Sequence, residues 1–300
     1  MDHFVTILFN GVSQSSIILL TSLGLAITFG LMHVINMAHG EFVMIGAYST
    51  YVVQQIFVRY LPESIGSIYY FAAIPAAFLV AFFLGSLLEK FVISRLYGRE
   101  IDSLLATWGI SLILQQAART IFGTQGVNVT APAFLQGGFS IGNCTFSYNR
   151  LFIILLVVFC MIAIWFIMYK SRFGKQMRAV MQNRPMAMCM GINSRKIDNL
   201  TFAIGSGFAG IAGCSIALLG SIDSTVGQSY IVNAFMAVVL GGVGKLIGTV
   251  LGSGIIGMAS IFTENYTSST IAKAIVLLIV IIFLQKRPQG LFVIKSRNLD

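Results

Sequence analysis

Charge is what this chain has little of. Asp, Glu, Lys and Arg make up 10% of its 300 residues, against roughly 25% in an ordinary soluble domain. Hydrophobic residues make up 57%, and mean hydropathy is +0.87. A soluble fold would have to hide that apolar surface while keeping a wettable exterior, and a chain this size cannot do both. Lipid removes the difficulty, provided the backbone satisfies its own hydrogen bonds as helices or a closed barrel. Barrel strands alternate apolar and polar residues. The runs 151-LFIILLVVFCMIAIWFIM-168 and 274-AIVLLIVIIFL-284 do not alternate, so the predicted fold is all-α: a single polytopic transmembrane bundle over residues 1–300.

Other absences narrow the function. The four cysteines, Cys144, Cys160, Cys189 and Cys214, have no metal-ligand spacing and read as small hydrophobes. His33 and His39 have no Ser or Cys nucleophile at a recognisable spacing. His39 and Glu41 are two residues apart, so on a helix they face different ways and make a poor metal pair. No enzyme and no metal site is expected. Residues 1–10 lack a basic n-region, and no small-x-small cleavage site follows, so the first helix is expected to stay as an anchor.

The charge that is present is clustered. Of the nineteen Lys and Arg, three fall in 90–99, seven in 170–196 and four in 286–297. The stretch Lys170–Ile197 has no acidic residue. Such clusters between apolar runs mark cytoplasmic loops, and no soluble platform for nucleic acid accompanies them. Clear spans are predicted near 69–89, 103–121, 149–169, 198–220 and 271–285. Two more apolar regions, 8–58 and 231–262, are interrupted by 30-GLMHVINMAHGE-41 and 241-GGVGKLIGT-249. About eight spans are expected, with 8–10 allowed. By charge, 59–68, 122–148 and 221–230 are external, and 231–262 enters and leaves by one side. The external stretch 122–148 reads as a structured loop. Asn128, Asn143 and Asn265 begin N-x-Thr triplets, which arise often by chance. The two Gly-broken regions suggest an internal repeat, the pattern of a transporter with its site at mid-membrane.

Three segments are candidates for function. In 35-INMAHGEF-42, the polar residues Asn36, His39 and Glu41 either line a solute pathway or form a short cytoplasmic turn with Asn36 as helix cap and Glu41 at the dipole. Near the external mouth, Gln228 and Tyr230, with Asn233 just inside, offer hydrogen bonds to a dehydrated polar solute or simply cap a helix. The basic loop 171–197 carries Met177, Val180, Met181, Met186, Met188 and Met190. That is an adaptable apolar surface suited to docking a partner, though a basic loop also suits anionic lipid headgroups. The run GGVGKL fails as a P-loop: Val239 stands where its first Gly should be, and Leu246 replaces Ser or Thr. Gly248 and Gly252 read instead as a helix-packing pair.

Taken in order, INMAHGE (35–41), RAVMQNRPMAMCMGI (178–192), FAIGSGFAGIAG (202–213), VVLGGVGKLIGT (238–249) and KRPQGLF (286–292) resemble the permeases of branched-chain amino acid and urea ABC importers. INMAHGE, QNRPMA and GQSYIVNAFM (227–236) most resemble the urea-type B permease, with one departure at Asn233, where an aspartate is expected. The resemblance implies a bacterial cytoplasmic (inner) membrane protein working with a second permease, two ATP-binding subunits and an extracytoplasmic solute-binding protein. It implies no cofactor here, since ATP is bound by the partners. It also implies that the cytoplasmic segment 171–197 couples to the ATPases through Arg172, Gly174, Arg178, Asn183, Ala187 and Gly191. Urea is the expected solute, because the span interiors read as nearly free of charge and so suit a neutral molecule. A branched-chain amino acid is the alternative, and an ATP-independent channel or secondary carrier is the alternative of another class.

Overall fold

The computed structural model describes residues 2–32, 36–60, 68–141 and 144–292. In chain order its helices are α1 (Asp2–Met32), α2 (His39–Tyr60), α3 (Tyr69–Phe91), α4 (Glu100–Phe122), α5 (Tyr148–Tyr169), α6 (Arg172–Gln182), α7 (Arg184–Cys189), α8 (Ser194–Ile216), α9 (Val226–Gly241), α10 (Leu246–Glu264) and α11 (Ser269–Lys286). Between α4 and α5 the predicted external loop contains an antiparallel hairpin, β1 (Gly138–Ile141) and β2 (Cys144–Ser147). Asn143 lies outside the described residues.

Among the described residues six helices are long and apolar enough to cross a membrane: α1, α3, α5, α8, α10 and α11. With α2 and α4, which have span length but carry more polar residues, they make the eight expected spans. The apolar α9 has 16 residues, about 24 Å at the helical rise and so short of a ~30 Å hydrocarbon core. It pairs with α10, and the two return to the same end, as the charge pattern requires. Phe9 packs edge-to-face on Phe146 with centroids 4.9 Å apart, and Arg150 Nη1 donates to Asn10 Oδ1 at 2.8 Å. The beginning of α1 therefore lies at the same end of the bundle as the 122–148 loop, a placement that the charge pattern leaves open.

The core is built on α8. Lipid supplies no hydrophobic drive between helices, so close packing and hydrogen bonds must do it, and small residues allow the closest approach. Gly205 of α8 lies against the backbone of Gly24 in α1, Gly210 against Ala77 of α3, and Gly213 against Val43 and Ala47 of α2. The outward faces of α5 and α11 are apolar, with Leu155, Phe159, Ile162, Leu278 and Ile282 exposed, as a lipid-facing surface requires.

The two interrupted regions meet. Gly30 near the end of α1 packs on Gly244 in the α9–α10 turn, and Gly40 at the start of α2 packs on Gly227 at the start of α9. The turn needs glycine: Gly242 and Gly244 have φ of 99° and 85°, the left-handed region that side chains avoid. Gly248 lies on Gly241, and Gly252 on the Ala237 carbonyl, so this spacing does serve close helix packing. The KRPQGLF tail then folds back. The Leu291 and Phe292 amides donate to the Leu240 and Gly241 carbonyls at 2.9 and 3.3 Å, satisfying acceptors that the end of α9 leaves open.

Candidate functional site

Asn36 is buried, and its Oδ1 accepts from the Ala38 amide at 3.0 Å. This is a local Asx-type turn. It corrects the expectation of Asn36 as a helix cap, because α2 begins only at His39. His39 Nε2 lies 3.1 Å from the Thr21 carbonyl of α1. A carbonyl can only accept, so Nε2 carries the proton in that bond. Glu41 Oε1 accepts from Ser111 Oγ at 2.7 Å and from Gln115 Nε2 at 2.8 Å, both on α4. Ser111 is half-way along α4, so Glu41 lies at mid-height in the bundle and is 1% exposed. This corrects the expectation that the motif lies near the cytoplasmic side, and it puts one carboxylate inside spans that read as nearly free of charge.

Three buried polar atoms of this cluster have no protein hydrogen-bond partner: Asn36 Nδ2, His39 Nδ1 and Glu41 Oε2. An unpaired buried polar group costs about 1–3 kcal/mol, so such a set within one motif asks for an explanation. The cluster also sits at the start of a helix that begins inside the bundle, where the helix dipole presents its positive end. Cation-seeking oxygen and anion-seeking helix end are thus side by side.

The external-mouth residues divide. Through the Gly40–Gly227 contact the first turn of α9 lies against the motif. Gln228 is exposed, Tyr230 is half-buried against the main core, and Asn233 is buried further along α9. Sequence reasoning misses Ser111 and Gln115, together with Ser103 and Thr107 on the same face of α4. All four are buried, and Thr107 Oγ1 accepts from the Met37 amide at 3.1 Å. Their four-residue spacing is the available signal, hidden inside a span that reads as apolar.

The segment 171–197 forms α6, α7 and the first turn of α8. Ser171 Oγ caps α6 by accepting from the Gly174 amide at 2.9 Å. Asn183 Oδ1 caps α7 through the Met186 amide at 3.0 Å. Gly191, at φ 80°, turns the chain toward α8. The expected apolar docking surface is only half present. Met177 and Val180 are buried, as are Gly174 and Ala187, and Arg178 turns inward, donating to the Met168 carbonyl with its guanidinium 5.2 Å from the Tyr169 ring centroid. These groups seat the segment on the bundle. Arg172 is exposed, and so are Met186, Met188 and Met190.

Beneath α7 runs a polar network. Arg184 pairs with buried Asp198 and lies 5.0 Å from the Tyr97 ring centroid. Tyr97 donates to Glu89 at 2.9 Å, and Asn199 Nδ2 donates to Glu89 and to the Ser86 carbonyl at 2.7 and 2.8 Å. Burial, with Glu89 and Asp198 close by, pushes the Tyr97 phenol far above its usual range, so it stays a donor. The network ties α7 to α3 and α8. Arg184→Ala leaves Asp198 without its cation. The expected cost is about 2 kcal/mol, between an exposed and a fully buried pair, read as a lower melting temperature in detergent. An unchanged melting temperature would show that the pair holds nothing.

Comparison with known proteins agrees with this architecture. The family profile described as "Branched-chain amino acid transport system / permease component" matches residues 7–285. The chain is 28% identical to the high-affinity branched-chain amino acid transport system permease protein BraD of Pseudomonas aeruginosa over 296 residues, covering 96% of this chain and 95% of that one. It is 27% identical to the corresponding LivH of Escherichia coli with the same coverage. A more partial likeness, 27% over 201 residues, covers 63% of this chain and 62% of the ribose import permease protein RbsC of Escherichia coli. No solved structure matches. The chain belongs to the family of branched-chain amino acid transport system permease components: it is a multi-pass, ABC-type permease subunit of the cytoplasmic membrane.

Proposed function

We propose that this permease carries an aliphatic α-amino acid inward, beside a second related permease, with two cytoplasmic ATP-binding subunits and an extracytoplasmic solute-binding protein. The names of the full-length relatives support the solute class. The observation that carries it is Glu41, buried at mid-height with one oxygen unpaired, next to the inner start of α2. A zwitterion has an ammonium for that carboxylate and a carboxylate for the helix end. Urea has neither. Urea is the second reading, favoured by INMAHGE and GQSYIVNAFM.

In this mechanism 171–197 is the coupling segment. Exposed Met186, Met188 and Met190 dock into an ATP-binding subunit, while Arg178, Met177 and Ala187 hold the segment to the bundle. Closure of the ATP-binding subunits moves α7, and the Arg184–Asp198 network hands that motion to α3 and α8. The path then opens to one side at a time. ATP is bound by the partners, and this chain needs no cofactor.

Uptake into proteoliposomes holding the whole transporter tests the solute. Labelled leucine should enter in an ATP-dependent, saturable way that excess urea leaves unchanged. Urea entry blocked by neither leucine nor valine would transfer the assignment to urea. Uptake without ATP-binding subunits would make the protein a channel or secondary carrier.

A further inference from the structure

The inward side of α4 is polar over half its length and apolar toward its outer end, where Ala118 is buried and Leu114 and Phe122 pack on an apolar cluster. Its outward side is apolar, with Ile101, Leu105, Trp108, Leu112, Ile113 and Ile121 exposed. Its inward side at four-residue spacing is Ser103, Thr107, Ser111 and Gln115, each at most 5% exposed. Residues four apart share one helix face, so these four form a continuous polar stripe running half the length of the bundle. Two of them hold Glu41, and a third receives the Met37 amide. At the outer end, Arg119 Nε donates to Ser224 at 2.8 Å, and the Phe122 ring stacks on Tyr48 with centroids 4.2 Å apart. The stripe is not a self-contained hydrogen-bonded seam, because it leaves the Oε2 of buried Glu41 without a partner.

Interhelical hydrogen bonds in membranes average about 0.6 kcal/mol each. A polar contact of this kind can part at little cost, provided something polar replaces the bonds it gives up.

We infer that α4 is the movable wall of the solute path, and that Ser103, Thr107, Ser111 and Gln115 are the solute-contacting stripe of that wall. This rests on the reading of the chain as a permease for amino acids. When α4 and α2 separate, the solute's ammonium takes the bonds that Ser111 and Gln115 now make to Glu41. Thr107 and Ser103 offer it successive hydroxyl partners toward the cytoplasmic end. In the closed arrangement described here the stripe seals itself on Glu41.

The test is a cysteine scan in the whole transporter, in a background where Cys144, Cys160, Cys189 and Cys214 are Ser and uptake is retained. Ser103→Cys, Thr107→Cys and Ser111→Cys report the stripe; Leu112→Cys and Ile113→Cys report the opposite face. Each is exposed to a charged, membrane-impermeant methanethiosulfonate, without nucleotide and during ATP turnover. Stripe cysteines should react at least about tenfold faster during turnover, and the other two should not react in either state. Ser111→Cys changes little in volume, so a folding failure there is not expected. Should it occur, Thr107→Cys and Ser103→Cys give the same readout. Stripe cysteines that stay unreactive in a transporter still hydrolysing ATP and moving solute would overturn the inference, as would reaction at Leu112→Cys and Ile113→Cys. Labelling does not depend on which solute is carried. A labelled stripe together with absent leucine uptake would therefore sink the amino-acid reading and leave the wall in place.

Discussion

Glu41→Gln is expected to lower kcat/KM for leucine uptake about 100-fold, with the protein still folded and inserted. The amide oxygen of Gln still accepts from Ser111 and Gln115, so the closed bundle keeps its bonds. What disappears is the negative charge that faces the solute's ammonium. Losing one partner of a buried, hydrogen-bonded charge pair costs about 2–5 kcal/mol, and 100-fold is about 2.7 kcal/mol. Initial rates of labelled leucine uptake across a concentration series, with ATP hydrolysis followed in parallel, give the measurement. A change below about tenfold would remove Glu41 from recognition of the solute's ammonium.

Gly213→Leu is expected to prevent assembly of the bundle. A side chain at 213 would run into the Val43 carbonyl and the Ala47 amide of α2. These are backbone atoms, which cannot swing aside as a side-chain tip can. Overpacking a tight core costs about 1–3 kcal/mol and occasionally more, and here α8 would have to move bodily away from α2. With folded proteins stable by only about 5–15 kcal/mol, the expected result is a large loss of monodisperse protein on detergent extraction. Gly254→Leu on α10 is the control, because a Cβ there meets nothing within 4 Å. Equal yields from the two variants would show that the α2–α8 crossing is not what holds the core together.

Several features are legible in the sequence because they follow from solvent alone. The run 151–168 can only be a lipid-facing helix, and the basic clusters can only lie outside the lipid. The Gly248 and Gly252 spacing announces a close helix contact, and both lie against α9. Asn36, His39 and Glu41 are conspicuous because polar groups are rare in such a chain. Which of them touch, and at what depth, is not legible. The motif lies between two apolar runs, and sequence cannot tell a turn at the surface from a chain that re-enters the bundle. The segment 171–197 shows the same limit. Its methionines are visible in the sequence, but the inward turn of Met177 and Arg178 depends on where α6 rests against Met168 and Tyr169.

Composition and periodicity are local, and through the demands of lipid they determined that this chain is an all-α, multi-pass membrane protein. The family motifs added a permease. Only the tertiary structure decided that Glu41 sits at mid-height, that α4 answers it with a polar face, and that Arg184 reaches Asp198. Those are partnerships between residues up to 74 positions apart. No sequence period encodes them, because they exist only once α8 has brought the helices around it together.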